Sequence, residues 1–227
     1  MLETTLLATA PSKPPAYPDR DGQRIAETTV QFACIVKIKE NLDVLLPDFV
    51  AGDLFWYPVQ GDPGTRLAPD VMVAIGRPKG HRGSYKQWME DNLPPAVVFE
   101  VLSPGNSFPE MQRKFRFYER YGVEEYYVYD PEERYLGVWQ RTDGRLMEVL
   151  PVHGFVSPRL GVRFELGDDL EIYRPDGTRF QSFAELSARA EQERQRAEQA
   201  DQRAEQERQR AEALRARLIA LGIDPDA

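Results

Sequence analysis

Two short, almost uninterrupted apolar runs each contain one acidic residue, and this combination constrains the fold more than any other feature of the chain. The runs are LAPDVMVAI (residues 67–75) and PAVVFEVL (residues 95–102), and their acids are Asp70 and Glu100. Runs of this length and composition are typical of strands that are buried on both faces of a sheet. The chain must therefore accommodate two carboxylates in or beside a buried sheet.

A lone carboxylate in such a sheet costs several kcal/mol unless it is paired or bound to a metal ion. Strand alternation places each acid on one face with apolar neighbours, which are Ala68, Met72 and Ala74 for Asp70 and Ala96, Val98 and Leu102 for Glu100. Structural alternatives stay open for both. In these alternatives Asp70 is a strand-start residue that bonds a turn, and Glu100 is one partner of a buried ion pair.

A capped helix is predicted directly after the second run. The sequence Ser107-Phe108-Pro109-Glu110 is a capping box with Ser107 as the N-cap, and Gly122 stands where a helix-ending glycine belongs. Met111, Phe115 and Tyr118 form the apolar face of this helix. At 100° per residue, Lys114 lies about 60° from that face. Its ammonium therefore either extends to solvent or reaches over the end of the sheet toward the acids.

The remaining elements follow from periodicity and turn residues. We expect a helix within 25–46, strands at 49–57, 125–129, 135–140 and 146–150, a short helix at 85–91, and a hairpin turn at 142–145. Residues 76–86 form a basic, glycine-rich loop between the two buried runs. Residues 151–180 are predicted to form short strands joined by turns.

The composition changes at Phe183. Residues 183–221 contain no Gly or Pro, and Ala190, Ala197, Ala204 and Ala211 recur at seven-residue spacing. Two interpretations stay open: a single solvated helix held by Glu–Arg pairs, or an Ala-seamed coiled coil. A homodimer would form through this helix or through the folded domain that precedes it. The predicted organisation is a mobile leader at 1–27, a folded domain at 28–182, a charged helix at 183–221 and a tail at 222–227.

Composition excludes several classes of protein. One cysteine, Cys34, and two histidines, His81 and His153, argue against a disulfide framework and a Cys- or His-based zinc site. No apolar run approaches the roughly 20 residues of a membrane span. The first residues carry no basic signal-peptide region, so a cytoplasmic location is expected. The net charge of −8 argues against indiscriminate coating of nucleic acid.

Four segments taken together resemble the Uma2 family (domain of unknown function 820), which belongs to the PD-(D/E)XK nuclease superfamily. They are Pro69-Asp70-Val71, the run FEVLSP from Phe99, Lys114 with Tyr118, and the run YGVEEY from Tyr121, in this order and spacing. The resemblance covers roughly residues 28–182. It implies an α/β fold: a restriction-endonuclease-like mixed β-sheet flanked by helices, to which this chain adds a long charged C-terminal helix.

The resemblance also implies a function, which is hydrolysis of DNA phosphodiester bonds by a metal-dependent endonuclease. Asp70 and Glu100, with the backbone carbonyl of Val101, would hold Mg²⁺, for which Mn²⁺ can substitute. Lys114 would orient or deprotonate the attacking water and stabilise the developing charge. It replaces the lysine of the superfamily's ExK motif, because that position is occupied here by Leu102.

Other site residues are expected around this centre. A fourth acid would come from Glu40, Asp43 or Asp53, of which Asp53 is preferred. The expected phosphate contacts are Arg77, Lys79, Arg82 and Lys86 of the basic loop and Ser103 after the second run. In the structural alternative the loop is only solvated, and Ser103 caps a turn. His81, in the same loop, has no evident partner as an acid or base.

A second function from a different class stays open. In this interpretation the protein is a non-catalytic binding or scaffold protein with a nuclease fold. Asp70 and Glu100 would then belong to a structural network, and the C-terminal helix would recruit a partner. Metal binding through the two acids separates the two hypotheses, since only the nuclease requires it.

Overall fold

A computed structural model describes residues 29–220, except for the side chains of Leu218 and Ile219. The predicted leader at 1–27 and tail at 222–227 lie outside the described residues. The elements in chain order are α1 (Thr29–Leu45), β1 (Asp48–Ala51), β2 (Trp56–Tyr57), β3 (Val71–Pro78), β4 (Tyr85–Lys86), a 3-10 helix (Gln87–Met89), β5 (Val97–Val101), α2 (Phe108–Tyr121), β6 (Glu125–Asp130), β7 (Tyr135–Thr142), β8 (Arg145–Glu148), β9 (Arg163–Leu166), β10 (Leu170–Tyr173) and α3 (Phe183–Ala220).

Six of the strands form a mixed sheet in the order β1-β3-β5-β6-β7-β8. Strands β5 and β6 are parallel, whereas the other neighbouring pairs are antiparallel. Because parallel neighbours need a crossover, the chain between β5 and β6 contains a helix, α2. The mixed sheet with flanking helices confirms the predicted α/β fold class.

Alternate residues of the central strands pack into two apolar cores, one on each face of the sheet. On one face Val71 and Phe99 pack with Leu42 of α1. On the other face Val98 packs in a cluster with Tyr118 of α2. The two runs therefore form strands covered on both sides, as their composition indicates.

Helix α2 begins and ends where its sequence signals predict. The Ser107 side chain accepts a hydrogen bond from the Glu110 N–H at 3.4 Å. Gly122 adopts a left-handed φ of 96°, and its N–H bonds the Tyr118 carbonyl. These two caps fix the helix register and place Lys114 near the middle of α2.

Two local predictions are wrong. The expected strand at 49–57 is divided into β1 and β2, because the chain turns at Asp53, whose φ is 47°. The expected helix at 85–91 is instead β4 followed by a 3-10 turn, since Tyr85 and Lys86 pair in parallel with Trp56 and Tyr57. The pairing of β2 with β4 joins residues that are far apart in the sequence, and it has no signal in the local sequence.

The residues from Gln181 onward form a second compact unit, which contains α3. Ion pairs at helical spacing run along α3, including Arg189–Glu193 at 3.0 Å and Arg208–Glu205 at 2.9 Å. Such pairs and high helix propensity stabilise a solvated helix. Self-association through α3 stays a prediction. None of the helices within 29–220 is long and apolar enough to cross a membrane.

We expect that deletion of residues 188–227 leaves the first unit folded. The buried residues of both cores all precede Gln181, so the deletion removes none of them. The midpoint of thermal unfolding, followed by circular dichroism, should change by less than about 4 °C, which corresponds to about 1 kcal/mol. An insoluble or unfolded truncated protein would contradict this division of the chain.

Candidate active site

Strands β3 and β5 bring Asp70 and Glu100 together at one end of this interior strand pair. Their antiparallel register pairs Val71 with Phe99, so one further step along each strand reaches Asp70 and Glu100. The Asp70 carboxylate accepts a hydrogen bond from the Val101 N–H at 2.7 Å. Two residues that are 30 positions apart in the sequence are therefore neighbours across a strand pair.

The Glu100 carboxylate is buried, with 2% of the residue exposed, and is bound by two side chains of α2. The Lys114 ammonium lies 2.7 Å from Oε2. The Tyr118 hydroxyl donates a short hydrogen bond to Oε1. Lys114 and Tyr118 are four residues apart and so share one face of the helix. Each oxygen of the buried carboxylate thus has a donor, and its charge has a counterion.

Lys114 reaches over the sheet instead of extending into solvent. Its side chain is 13% exposed, and its ammonium also lies 4.0 Å from the Glu110 carboxylate. The negative charge of Asp70 acts on it as well. The structure therefore brings together the three predicted catalytic residues, Asp70, Glu100 and Lys114.

The pKa shifts describe a strongly coupled group of residues. Burial raises the pKa of Glu100 above its ordinary value, although Lys114 and Tyr118 act to lower it. Burial acts to lower the pKa of Lys114, but Glu100 and the other nearby carboxylates outweigh it and raise that pKa above 10.5. Burial and the charge of Glu100 raise the pKa of Tyr118. At neutral pH, Lys114 and Tyr118 are therefore both donors.

Gln31 of α1 is a site residue that the sequence analysis missed. Its side-chain amide donates a hydrogen bond to the Val101 carbonyl at 2.7 Å, across a separation of 70 residues. This carbonyl is the predicted backbone ligand of the metal. An amide oxygen has two lone pairs, so the Gln31 contact positions the carbonyl and leaves acceptor capacity. No local sequence signal connects Gln31 with the β5 strand.

Tyr126 is a second residue that the sequence analysis did not assign to the site. It is 1% exposed, and no residue within 29–220 provides a hydrogen-bond partner for its hydroxyl. Burial, Glu100 and Asp70 all raise its pKa, so the hydroxyl stays protonated close to both negative charges. A buried hydroxyl without a partner costs about 1–3 kcal/mol. A water or ligand oxygen at this point would remove that cost.

The two carboxylates fit a small, hard divalent cation. Magnesium is bound through one or two carboxylates and keeps several waters, which matches a donor set of Asp70, Glu100 and the Val101 carbonyl. No group of three or more His, Cys, Asp or Glu side chains suited to a metal ion occurs in the part of the chain that is described. Binding would require Glu100 to exchange part of its contact with Lys114 for the metal.

The three candidates for a fourth acid lie in different places. Glu40 and Asp43 pair with Lys39 on α1, and Asp43 also pairs with Lys79 beyond the far end of β3. Only Asp53 approaches the site, because its N–H bonds the carbonyl of Pro69, which precedes Asp70, at 3.1 Å. The Asp53 residue is exposed, and its role as a ligand stays a prediction.

The predicted basic loop at 76–86 is a loop only at 79–84, because residues 76–78 belong to β3 and residues 85–86 to β4. This basic segment lies at the opposite end of β3 from Asp70. Seven residues separate Arg77 from Asp70, which is roughly 23 Å along a strand. Arg77 and Arg82 both pair with Glu90, at 2.9 and 2.7 Å, and Lys79 pairs with Asp43 at 3.1 Å. Arg77 also pairs with Asp91, so each of the three basic residues has a carboxylate partner. Phosphate contacts by the loop, including Lys86, stay a prediction.

Ser103 caps the turn between β5 and α2. Its N–H and its hydroxyl both donate to the Asn106 side-chain oxygen, at 2.8 and 3.2 Å. This is the structural role that the sequence offered as an alternative to a phosphate contact.

Glu125 is a second buried acid in the sheet, and it too was missed. It is 1% exposed and accepts hydrogen bonds from the Tyr127 hydroxyl at 2.9 Å, the Arg159 N–H at 3.0 Å and the Ser157 hydroxyl. Three neutral donors therefore satisfy this carboxylate. The partner Tyr127 belongs to the core on the α1 face, whereas Tyr118, which binds Glu100, belongs to the core on the α2 face.

One family model matches more than half of the chain. Residues 33–171 match the family model of Uma2, whose description is "Putative restriction endonuclease". The chain is similar to the crystal structure of "a putative nuclease belonging to DUF820" from Anabaena variabilis ATCC 29413, with 16% identity, 58% of this chain and 72% of that chain covered, and a TM-score of 0.42. A search of curated proteins gave no match.

We expect Lys114→Met to destabilise the protein more at pH 8 than at pH 5. A carboxyl whose pKa is higher in the folded than in the unfolded state contributes stability that is lost as the pH rises through the folded value. Removal of the ammonium raises the folded pKa of Glu100 further, so the loss grows with pH toward about 3 kcal/mol. Urea unfolding of the wild type and the variant across this pH range measures this loss of stability.

Lys39→Met is the matched control for this experiment. Lys39 also pairs with two carboxylates, but it is more exposed on α1. Exposed ion pairs contribute about 0–1 kcal/mol, so the control should change stability little and show no comparable growth with pH. Equal losses for the two variants would show that Glu100 does not depend on Lys114 for its counterion.

Proposed function

Because the chain belongs to the Uma2 family, we propose that it is a metal-dependent endonuclease that hydrolyses phosphodiester bonds of DNA. The observation that carries the proposal is the buried contact of 2.7 Å between Lys114 and Glu100, with Asp70 beside it across the strand pair. A cationic side chain and two neighbouring carboxylates are groups that promote hydrolysis of a phosphodiester, since the acids can hold a metal ion and the cation can offset negative charge.

In this proposal Asp70 and Glu100 hold Mg²⁺ or Mn²⁺ together with the Val101 carbonyl. The bound cation would neutralise charge on the scissile phosphate and lower the pKa of a water. Tyr118 holds Oε1 of Glu100, and Gln31 holds the Val101 carbonyl, so both are positioning residues. The Tyr126 hydroxyl supplies a further buried donor beside the acids.

The raised pKa of Lys114 supports one of its two expected roles. A lysine that is protonated at neutral pH is a poor base but a good donor. Lys114 would therefore orient the attacking water or contact a phosphate oxygen, where its charge opposes the negative charge that develops in the transition state. The proton of the water would pass to another acceptor.

One observation favours the second candidate function, a non-catalytic scaffold. Both oxygens of Glu100 already have donors in Lys114 and Tyr118, which is also how a purely structural ion pair would be built. In such a protein the network stabilises the packing of α2, and nucleic acid or protein partners bind without hydrolysis.

A cleavage assay on single- and double-stranded DNA, with Mg²⁺, Mn²⁺ or EDTA, tests the endonuclease. We expect metal-dependent cleavage by the wild type, and a loss of about 100-fold or more in Glu100→Gln and in Lys114→Met. Glu171→Gln and Lys39→Met change the same residue types away from the site and should retain activity. Absence of cleavage by the wild type under every condition would favour the scaffold.

Metal binding can be measured separately from cleavage. Electron paramagnetic resonance of Mn²⁺ should show binding to the wild type that is weakened at least tenfold in Asp70→Asn and in Glu100→Gln. Lys114→Met should retain most of the affinity, because an ammonium is not a ligand. Equal Mn²⁺ binding by the wild type and by Asp70→Asn would contradict the proposed ligand set.

A further inference from the structure

Four arginines meet in an open groove beside α2. Arg113, Arg116 and Arg120 lie on one exposed face of the helix, and Arg66 comes from the turn that precedes β3. With the rings of Phe117 and Tyr121, they line a volume of about 400 Å³. The sequence analysis did not single out these arginines.

The positive charge of the groove is not balanced by neighbouring acids. Across residues 29–220, no carboxylate forms an ion pair with any of the four guanidinium groups, and the groove lining contains no acid. Other arginines of the same unit do pair with carboxylates, among them Arg77, Arg82, Arg159, Arg163 and Arg179. The chain as a whole has a net charge of −8, so this local excess of positive charge is unusual and favours the binding of an anion at the groove.

Aromatic rings hold two of the arginines in place. The Arg66 guanidinium lies 5.0 Å from the centre of the Phe55 ring, and that of Arg120 lies 5.4 Å from the Tyr121 ring. Cation–π contacts of this kind orient a guanidinium without cancelling its charge. The guanidinium groups of Arg66 and Arg120 are therefore partly ordered before any ligand binds, which reduces the conformational entropy lost on binding.

The groove adjoins the candidate active site along the chain and in space. Arg113 directly precedes Lys114 on α2, and Arg66 is four residues before Asp70. Phe117 of the groove and Tyr118 of the site both pack against Trp56, at 5.3 and 6.4 Å between ring centres. A polyanion in the groove would thus pass next to the elements that position the three site residues.

The spacing of the arginines suits a polyphosphate. Seven residues separate Arg113 from Arg120, which is about 10.5 Å along the helix axis at 1.5 Å per residue. One strand of a DNA duplex rises about 3.4 Å per phosphate along its axis, and adjacent phosphates are farther apart than this because the strand winds, so the three helical arginines extend over about two phosphates. Guanidinium groups bind phosphate oxygens through paired donors, which makes arginine well suited to this contact.

We propose that this arginine groove binds the phosphate backbone of a nucleic acid, and that it is the surface that holds the substrate beside Asp70, Glu100 and Lys114. The inference rests on the proposed function for the identity of the ligand. Contacts to phosphates carry no sequence information, so the groove supplies affinity and position but no base specificity.

The test measures binding in EDTA, where metal-dependent cleavage does not occur. The probe is a fluorescein-labelled DNA duplex of 20 base pairs, and binding is followed by fluorescence anisotropy across a salt series. The double substitution Arg116→Gln/Arg120→Gln is expected to raise Kd about tenfold or more. It should also reduce the slope of log K against log salt by about 1.8, or 0.9 for each lost phosphate contact.

The matched control is Arg196→Gln/Arg203→Gln, which removes the same charge from exposed helical arginines of α3. It should leave Kd and the salt slope close to those of the wild type. Circular dichroism shows whether each variant folds, and Arg113→Gln alone provides a milder variant with an expected slope change of about 0.9.

Each result shows whether the groove binds nucleic acid, and does so independently of the enzyme activity. If the groove variant loses DNA binding and the control does not, the proposed binding role of the groove is supported, even if the wild type never cleaves DNA and the endonuclease proposal fails. Unchanged DNA binding by a folded groove variant contradicts that role, even if the wild type cleaves DNA. Tighter binding of a labelled poly-glutamate 20-mer than of the duplex would also overturn it, in favour of an acidic protein partner.

Discussion

The burial of the Glu100 charge is the constraint on which the packing of one face of the sheet depends. A carboxylate that is 2% exposed must have a counterion and hydrogen-bond donors, and both come from α2 as Lys114 and Tyr118. Helix α2 can therefore pack on β5 only in the rotation that presents these two residues to the sheet. The same rotation places Arg113 and Arg116 on the exposed side of the helix and Tyr118 in the core.

The sheet contains two buried acids, and their surroundings differ in kind. Glu125 is satisfied by hydroxyl and backbone donors, an arrangement of neutral groups that has no counterion to exchange. Glu100 is satisfied by a lysine, lies beside a second acid and has the buried Tyr126 hydroxyl near it. A coupled group with raised pKa values and an incompletely bonded donor is more typical of a functional site than of a structural anchor.

The basic residues that are clustered in the sequence are not the ones that leave a positive surface in the folded structure. The segment richest in basic residues between the two apolar runs, residues 76–86, has its arginines held by Glu90 at the far end of β3. The arginines of α2 are interspersed with aromatic and acidic residues in the sequence, yet the helix places three of them on one face. The proposed binding surface next to the site is therefore recognised from arginines that lack carboxylate partners in the folded structure. The density of basic residues along the sequence does not reveal it.

The sequence by itself determined the elements whose signals are local. Apolar runs specified the buried strands, the Ser107 cap and Gly122 specified the ends of α2, and the order of the motifs around Asp70, Glu100 and Lys114 specified the family. Only the tertiary structure decided the partners of each charge. The Gln31 contact with Val101 spans 70 residues, and the pairing of β2 with β4 divides a predicted strand. Such contacts depend on strand register and on helix rotation, which are set by packing against distant residues and leave no periodic pattern in the chain.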